Sequence, residues 1–232
     1  MVQLFFIIMA MKFNVELAKE RLNNAQVVFF DLDGTLIDTE PLYNKYWREA
    51  SKYYGYELTK EEALNMRSRD VTSAIEYLNE VSGGKLDYFK VKAKRSELMD
   101  EYWKDHPIEL KPGALDILKK LKEENKKIYI VTANTVEKSE RIIKSVGFRD
   151  LIDDIISAKD VKRGKPFPDV FLYACEYVGL KPQDAIVFED SPNGLMSSFR
   201  AGCFTIMIED MTPYEEEMDY VNAAITTWVD IL

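Results

Sequence analysis

The sequence has little of what several common kinds of chemistry require. Among its 232 residues there are one histidine, His106, and two cysteines, Cys175 and Cys203. His106 lies in a polar stretch directly before a proline, so we expect it on the surface and not as the base of a hydrolase. The cysteines are far apart in sequence and lack the spacing of a zinc knuckle or a redox pair, so we expect two buried apolar residues.

Long apolar runs and dense basic runs are also missing from the sequence. No run approaches the roughly 18 apolar residues of a membrane-spanning helix, which argues against a membrane partner. A net charge of −9 argues against nucleic acid as a partner. The apolar segment before Met11 has no basic residue ahead of it and no small-residue cleavage site. We therefore expect translation to begin at Met11 and the protein to be cytoplasmic.

A run of four apolar residues that ends at two aspartates is the most informative stretch. Val27–Phe30 is typical of a strand that is buried on both faces of a sheet. Alternate residues of an extended chain point the same way, so Asp31 and Asp33 are expected to present two carboxylates on one side. Carboxylates this close repel each other unless a cation lies between them, and their oxygens suit Mg²⁺. The stretch predicts a magnesium site, with a solvated acidic turn as the alternative.

The rest of the chain divides into a helical part and an alternating part. Between Pro41 and Pro107, apolar residues recur at helical spacing with no strand pattern, which predicts a helical insert. From Ala114 onward helices alternate with strands, which predicts a parallel sheet covered by helices. The predicted strands are residues 27–30, 127–132, 154–157, 185–188 and 204–208, with a short one near 224–225. Asn134 and Glu137 are predicted to cap the helix that follows the second strand.

This division defines the expected domain organisation. We predict an α/β fold with a three-layer, Rossmann-like parallel-sheet core and a helical cap inserted after the first strand. The predicted core comprises residues 27–39 and 111–232, the cap comprises residues 40–110, and residues 1–26 form an N-terminal extension with a short helix. We expect a monomer, with a dimer as the alternative.

Polar side chains follow the predicted strand ends, which is where parallel sheets bind their ligands. They are Asp31, Asp33, Thr132, Glu189 and Asp190. Lys165 lies in a loop whose prolines restrict its path, so we expect its ammonium to join them, with a solvated surface charge as the alternative. Carboxylates, a hydroxyl, an ammonium and Mg²⁺ together stabilise a phosphoryl group in transfer, and a carboxylate can be the nucleophile.

Four short segments resemble, in order, the motifs of the haloacid dehalogenase superfamily. They read Asp31-Leu-Asp-Gly-Thr, Thr132-Ala-Asn, Lys165-Pro-Phe-Pro-Asp and Glu189-Asp190-Ser-Pro-Asn-Gly. The continuation Leu36-Ile-Asp-Thr-Glu, followed by a helical insert, resembles the branch that holds β-phosphoglucomutase, phosphoglycolate phosphatase and small sugar-phosphate phosphatases. The resemblance covers the chain from Val27 onward and implies the core and cap of that superfamily.

The resemblance also implies an activity. It is that of a Mg²⁺-dependent phosphatase that hydrolyses a small phosphorylated metabolite, such as a sugar phosphate, through an aspartyl phosphate. Asp31 is then the nucleophile, and Asp33 is the general acid that protonates the leaving oxygen and later activates water. Thr132 holds a phosphoryl oxygen, and Lys165 offsets charge between the nucleophile and the phosphate.

Two further sets of residues are implied for binding. The substrate would contact Leu32, Ala133 and Asn134, while Mg²⁺ would be bound by Asp31, the main-chain carbonyl of Asp33 and Asp190, with Glu189 a ligand or close to one. Arg67 and Arg69 of the cap are candidates for the distal part of a substrate. The alternative interpretation is that both arginines are ordinary charged residues in the connection between two helices.

One departure from the β-phosphoglucomutase pattern separates two activities. That enzyme carries a histidine in the first cap helix, where this sequence offers Tyr43. A mutase must hold its intermediate against water until a second hydroxyl arrives, so this difference places hydrolysis ahead of mutase chemistry. Two alternatives of another class are a phosphate-receiving signalling domain and a catalytically silent binding module, although the predicted nucleophile and acid are both present.

Overall fold

The computed structural model describes residues 14–67, 69, 71–211 and 217–232, which form two compact units. One unit contains the described residues up to Asp38 together with Glu109–Leu232, and the other contains Thr39–Ile108. The expected translation start at Met11 lies outside the described residues.

The first unit is built on a six-stranded sheet in which every neighbouring pair of strands is parallel. The strands are β1 (Val27–Phe30), β2 (Lys127–Thr132), β3 (Asp154–Ser157), β4 (Ile186–Glu189), β5 (Phe204–Ile208) and β6 (Ala223–Ile225). Their spatial order is β3-β2-β1-β4-β5-β6, which confirms the predicted parallel sheet. β4 lies one residue later than predicted, so Glu189 is the last residue of the strand.

Helices follow the strands and also make up the second unit. They are α1 (Val15–Asn24), α2 (Glu40–Tyr53), α3 (Lys60–Leu64), α4 (Val71–Ser82), α5 (Tyr88–Asp105), α6 (Ala114–Glu123), α7 (Val136–Ser145), α8 (Asp169–Val178) and α9 (Pro192–Ala201). Helices α2 to α5 belong to the second unit, and the other helices belong to the sheet unit. No helix in the described part of the chain is long and apolar enough to cross a membrane.

Both faces of the central strand β1 are buried, as its apolar sequence predicts. Phe29 packs on one face in a cluster that includes Phe171 of α8. Phe30 faces the other way, where its ring stacks on Phe188 at 5.2 Å and lies 5.5 Å from the ring of Trp228. Because neighbouring residues of a strand point to opposite faces, the sheet forms the middle layer of a three-layer fold.

The predicted cap of α7 is wrong. The N-cap residue is Thr135, whose hydroxyl accepts a hydrogen bond from the backbone N–H of Lys138 at 3.3 Å. Threonine and asparagine are both good N-caps, and here they are adjacent, so the sequence pattern does not distinguish them. With Thr135 in this role, the side chain of Asn134 is left for other contacts.

The second unit has its own apolar core. Trp47 and Ala50 of α2, Leu78 of α4 and Val91 of α5 pack in one cluster. Helix α3 begins with a capping box, in which the side chains of Thr59 and Glu62 each accept a hydrogen bond from the backbone N–H of the other. The apolar stripes of these helices are therefore explained by packing within the unit.

Candidate active site

Asp31 follows β1 at the point where the order of strands reverses. Its backbone N–H donates to the carbonyl of Phe188 at 3.0 Å, so the pairing of β1 with β4 continues up to the aspartate. The next strand in the chain, β2, lies on the other side of β1. Crevices at such a reversal are where open parallel sheets bind ligands.

Lys165 reaches into this crevice and binds two carboxylates. Its Nζ donates to Asp31 Oδ1 and to Glu189 Oε1, both at 2.6 Å, and to the carbonyl of Val131 at 3.1 Å. A lysine ammonium has three hydrogens, so these three acceptors satisfy it fully. Lys165 is buried, as are both carboxylates. The predicted approach of Lys165 to Asp31 is therefore present in the structure.

Glu189 is held at both of its carboxylate oxygens. Oε1 binds Lys165, while Oε2 accepts hydrogen bonds from the backbone N–H of Asp190 at 3.0 Å and from the backbone N–H and hydroxyl of Ser191, each at 2.8 Å. A Cβ atom at Gly194 would lie 1.7 Å from Glu189 Oε1, so no other residue fits there without moving the carboxylate. The side chain of Glu189 thus has one position, from which it orients Lys165.

Asp190 lies against the loop that follows β1. Its Oδ1 accepts a hydrogen bond from the hydroxyl of Thr35 at 2.9 Å. Gly34 has a φ of +79°, and a Cβ atom there would lie 2.3 Å from Asp190 Oδ2. Glycine is required at this position both for its backbone conformation and for the close approach of the carboxylate. The indole N–H of Trp228 donates to the Thr35 carbonyl at 3.0 Å and holds the same loop.

Burial and neighbouring charges shift the pKa values of Asp31 and Lys165. Burial raises the pKa of the Asp31 carboxyl to about 7, and the neighbouring Lys165 ammonium opposes this rise. Burial has the opposite effect on Lys165, but the carboxylates of Asp31 and Glu189 raise its pKa above the ordinary value for lysine. Lys165 is therefore charged at neutral pH, and a further cation beside Asp31 would favour its carboxylate form.

The residues present fit a divalent metal ion. Oxygens of Asp31, Glu189 and Asp190 lie within 4.8 Å of one another, and all three residues are buried. Lys165 supplies one positive charge against three carboxylates, and buried charges without compensation are costly. Oxygen ligands in a cluster of excess negative charge are suited to Mg²⁺. Because both Glu189 oxygens already accept hydrogen bonds, Asp31 and Asp190 are the better placed ligands.

The second motif contributes a hydroxyl and an amide. Thr132 ends β2, and its hydroxyl oxygen accepts a hydrogen bond from the backbone N–H of Asn134 at 3.1 Å, which leaves the hydroxyl hydrogen to be donated. The Asn134 amide nitrogen donates to Asp33 Oδ2 at 2.5 Å. Leu32 is buried beside the aspartates, and Ala133 is exposed at the end of β2. The structure thus joins Asn134 to the predicted acid Asp33.

The two predicted cap arginines lie in the second unit. Arg69 donates from Nε to the carbonyl of Asn65 at 2.5 Å and from Nη1 to the hydroxyl of Ser73 at 3.0 Å. Its guanidinium lies 4.3 Å from the centre of the Tyr77 ring. Arg67 is half-buried in the turn that follows α3. Contacts within the unit therefore hold Arg69 in place.

Sequence reasoning did not identify three residues that contact the predicted site residues, which are Thr35, Ser191 and Lys138. It also did not identify Trp228, which contacts Thr35. Thr35 and Ser191 lie inside the recognised motifs, so their hydroxyls could have been assigned from the sequence. Trp228 is 193 residues from its partner Thr35, and no local pattern predicts such a contact.

With this geometry established, comparisons with known proteins define the family. The family model for haloacid dehalogenase-like hydrolases matches residues 28–208, which is more than half of the chain. The matched region includes β1 apart from its first residue, all of β2 to β5 and all of the predicted catalytic residues. The chain belongs to the haloacid dehalogenase-like hydrolases.

Individual relatives are phosphatases and a mutase-like structure. The chain is 32% identical to hexitol phosphatase A of Escherichia coli over 195 residues, with 83% of this chain and 88% of the relative covered. It is 28% identical to the fructose-1-phosphate phosphatase of the same organism over 180 residues, covering 75% and 92%. A solved candidate β-phosphoglucomutase of Bacteroides vulgatus has a TM-score of 0.75 at 28% identity, covering 94% of each chain. This likeness confirms the predicted fold.

Proposed function

We propose that the protein is a phosphatase that hydrolyses a small phosphomonoester, in particular a phosphorylated sugar or polyol, with Mg²⁺ as its cofactor. One observation carries the proposal. The Lys165 ammonium lies 2.6 Å from both Asp31 and Glu189, in a buried cluster that also holds Asp190. The arrangement supplies a carboxylate nucleophile, a fixed cation and carboxylates that can bind a metal ion. Phosphoryl transfer requires these three components.

In the proposed reaction, Asp31 attacks the phosphorus atom and the bond from phosphorus to the leaving oxygen breaks. Asp33 gives its proton to that oxygen, so the alcohol leaves in neutral form. A water molecule then attacks the phosphorus atom of the aspartyl phosphate and gives a proton back to Asp33. The bond between Asp31 and phosphorus breaks, which releases inorganic phosphate and restores both carboxyl groups.

The other residues of the crevice bind the phosphoryl group and hold the nucleophile. Lys165 fixes Asp31 Oδ1 and neutralises charge between the nucleophile and the phosphate. Thr132 donates its hydroxyl hydrogen to a phosphoryl oxygen, and the backbone amides near Leu32 and Ala133 bind the others. Asp31, Asp190 and the Asp33 carbonyl would hold Mg²⁺, which would supply positive charge for the phosphoryl oxygens.

The substrate class follows from the relatives and from the helical unit. Two relatives are named for hexitol and fructose 1-phosphate hydrolysis, so a phosphorylated sugar or polyol is the first class to test. Arg67 and Arg69 are the proposed contacts for the part of the substrate distant from the phosphoryl group.

A mutase is the second candidate function, because the β-phosphoglucomutase-like structure shares 28% identity with this chain. Tyr43 of α2 lies where the resemblance to β-phosphoglucomutase implies a histidine, which favours water over a second hydroxyl as acceptor. A phosphate-receiving signalling domain is disfavoured because the chain belongs to a family of hydrolases. A catalytically silent module is disfavoured because Asp31, Asp33 and Lys165 are all present.

The test is phosphate release from a panel of phosphorylated sugars and polyols, measured with Mg²⁺ and with a chelator. We expect continuous Mg²⁺-dependent release from at least one member, and an Asp31→Asn loss of about 10⁴-fold or more, as for other catalytic nucleophiles. Formation of glucose 6-phosphate from β-glucose 1-phosphate is scored in the same experiment. Isomerisation faster than hydrolysis would favour the mutase, and activity undiminished by Asp31→Asn would exclude Asp31 as the nucleophile.

A further inference from the structure

We propose that Asn134 and Lys138 are positioning residues for the carboxyl group of Asp33, and that Asn134 serves the proton-transfer step instead of binding the substrate. This inference rests on the proposed function, because it concerns how the acid of that reaction is held. The Asn134 amide nitrogen donates to Asp33 Oδ2 at 2.5 Å, and the Lys138 ammonium donates to Asn134 Oδ1 at 3.1 Å. The three side chains thus form a chain of two hydrogen bonds.

Lys138 determines which way the Asn134 amide faces. An ammonium has hydrogens and no acceptor, so the atom of Asn134 that it contacts must be the oxygen. The amide nitrogen then faces Asp33 and donates to it. Without Lys138 the amide could rotate by half a turn and set its oxygen against a carboxylate oxygen, which is a repulsive contact. Lys138 therefore fixes Asn134 as a hydrogen-bond donor.

The backbone of Asn134 is fixed as firmly as its side chain. Its N–H donates to Thr132 Oγ1 at 3.1 Å, and its carbonyl accepts a hydrogen bond from the hydroxyl of Ser157 at 2.6 Å. Thr132 and Ser157 are paired residues at the ends of the neighbouring strands β2 and β3. Asn134 is therefore attached to the edge of the sheet, and its amide can place Asp33 relative to Asp31 with little freedom.

Lys138 occupies an unusual place for a lysine. It lies in the first turn of α7, where its backbone N–H binds the Thr135 cap. Positive charge near a helix N-terminus is unfavourable, because the backbone N–H groups there carry partial positive charge. Helix stability alone would favour an acid at this position. The contact with Asn134 gives a reason for a lysine instead.

The hydrogen bond from Asn134 gives the two carboxyl oxygens of Asp33 different roles. Oδ2 accepts the Asn134 hydrogen bond and is held in place, so Oδ1 is the oxygen that carries the proton to the leaving group. Loss of the amide would remove the hydrogen bond that places Oδ2, and protonation of the leaving oxygen would become slower. Transfer of the phosphoryl group to Asp31 would suffer less when the leaving group needs no proton.

This difference provides the test. Glycerol 2-phosphate has an alkoxide leaving group that needs protonation, whereas p-nitrophenyl phosphate releases a stable phenolate without it. The ratio kcat/KM reports the steps up to departure of the leaving group, and it is measured for both compounds with Mg²⁺. In Asn134→Ala we expect kcat/KM for glycerol 2-phosphate to fall about tenfold to a hundredfold further than that for p-nitrophenyl phosphate. We expect Lys138→Met also to lower kcat/KM more for glycerol 2-phosphate than for p-nitrophenyl phosphate, but by a smaller factor. Lys138→Arg should bring kcat/KM for both compounds back to the wild-type values.

A double-mutant cycle and a matched control complete the experiment. In an Asp33→Asn background, Asn134→Ala should lower kcat/KM for glycerol 2-phosphate only slightly further, because the carboxyl group that Asn134 positions is already absent. Glu137→Gln, an exposed change in the same helical turn, should leave both rates as they are. Equal losses on the two compounds, no loss on either, or additive effects in the cycle would overturn the inference alone. A wild-type protein that hydrolyses neither these compounds nor any member of the sugar and polyol panel would overturn the proposed function together with it.

Discussion

The two edges of the sheet hold acidic side chains in opposite electrostatic situations. At the amino edge, Asp153 accepts hydrogen bonds from Lys122 at 2.8 Å, from Lys127 at 2.9 Å and from the backbone N–H of Ile128 at 2.9 Å. Burial tends to raise the pKa of Asp153, but these donors outweigh it and lower the pKa. At the carboxyl edge, burial prevails and raises the pKa of Asp31.

The difference lies in how many cations serve each carboxylate. Asp153 has two ammonium groups to itself, so its charge is balanced within the protein. Lys165 is shared by Asp31 and Glu189, with Asp190 in the same cluster. The amino edge therefore contributes to the stability of the fold, whereas the carboxyl edge keeps an excess of negative charge that a metal ion and a phosphoryl group in transfer can use.

Among the changes that test this comparison between the two edges, replacing the shared cation should have the largest effect. Lys165→Met removes the only positive side chain that the structure places among the three carboxylates of the described cluster. We expect kcat to fall about 10²–10³-fold, as for the loss of other charge-stabilising groups in active sites. Lys165→Arg should recover little, because a planar guanidinium cannot occupy the place of a compact ammonium.

Steady-state kinetics on the best substrate of the panel measures this effect, and circular dichroism confirms that the variant is folded. A decrease in kcat of less than threefold would show that catalysis at the carboxyl edge does not depend on Lys165. The electrostatic difference between the two edges would then not explain the activity.

Stabilisation by Mg²⁺ should distinguish the two edges of the sheet. A ligand at a hundred times its Kd stabilises the folded state by about 2.7 kcal/mol, so Mg²⁺ should raise the midpoint of thermal unfolding by several degrees. Asp190→Asn should lose most of this increase, because it removes one of the two better placed carboxylate ligands. Asp153→Asn is the matched control at the other edge, and its midpoint should still rise with Mg²⁺. Equal increases for the two variants would place the metal elsewhere.

The amino edge should show a smaller effect, on stability alone. Asp153→Asn replaces a carboxylate that accepts three hydrogen bonds, and we expect the free energy of unfolding at pH 7 to fall by about 1–2 kcal/mol. Activity at 25 °C should stay within twofold of wild type, since Asp153 lies at the opposite edge from Asp31. Urea unfolding measures the first quantity and the phosphatase assay the second.

The stability lost in Asp153→Asn should depend on pH in a defined way. The folded-state pKa of Asp153 is lowered from its ordinary value of 3.8. Its contribution is therefore fully present above the unfolded-state value and is lost as the pH falls through the lowered one. The stability difference between wild type and Asp153→Asn should be constant from pH 5 to 7 and should shrink below about pH 4. A difference that grows on acidification would contradict the assignment.

Much of the fold and of the site could be predicted from the sequence. Four apolar residues before Asp31 predicted a buried strand, and the structure has β1 at that place. Strand ends in a parallel sheet share an edge, so Glu189 and Asp190 could be placed near Asp31 although more than 150 residues separate them. Lys165 was expected to join these carboxylates, and its ammonium binds Asp31 and Glu189.

The rest depended on information that is not local. Thr135 and Asn134 are both suitable caps, and no local pattern predicts that Thr135 caps the helix while the Asn134 amide nitrogen binds Asp33, 101 residues earlier. The hydrogen bond from Trp228 to Thr35 joins the last helical turn to the first motif, which spacing does not predict. Sequence patterns identify elements well, but the partner of a polar side chain depends on packing.

The most direct test of the central claim is to look for a phosphoryl group on Asp31. Enzyme in the presence of Mg²⁺ and a substrate is quenched in acid during turnover, and the peptide that contains residues 27–40 is analysed by mass spectrometry. We predict one added phosphoryl group located at Asp31, and none when Asp31→Asn is treated in the same way. Rapid turnover with no phosphoryl group at Asp31, or with the group on another residue, would contradict the account.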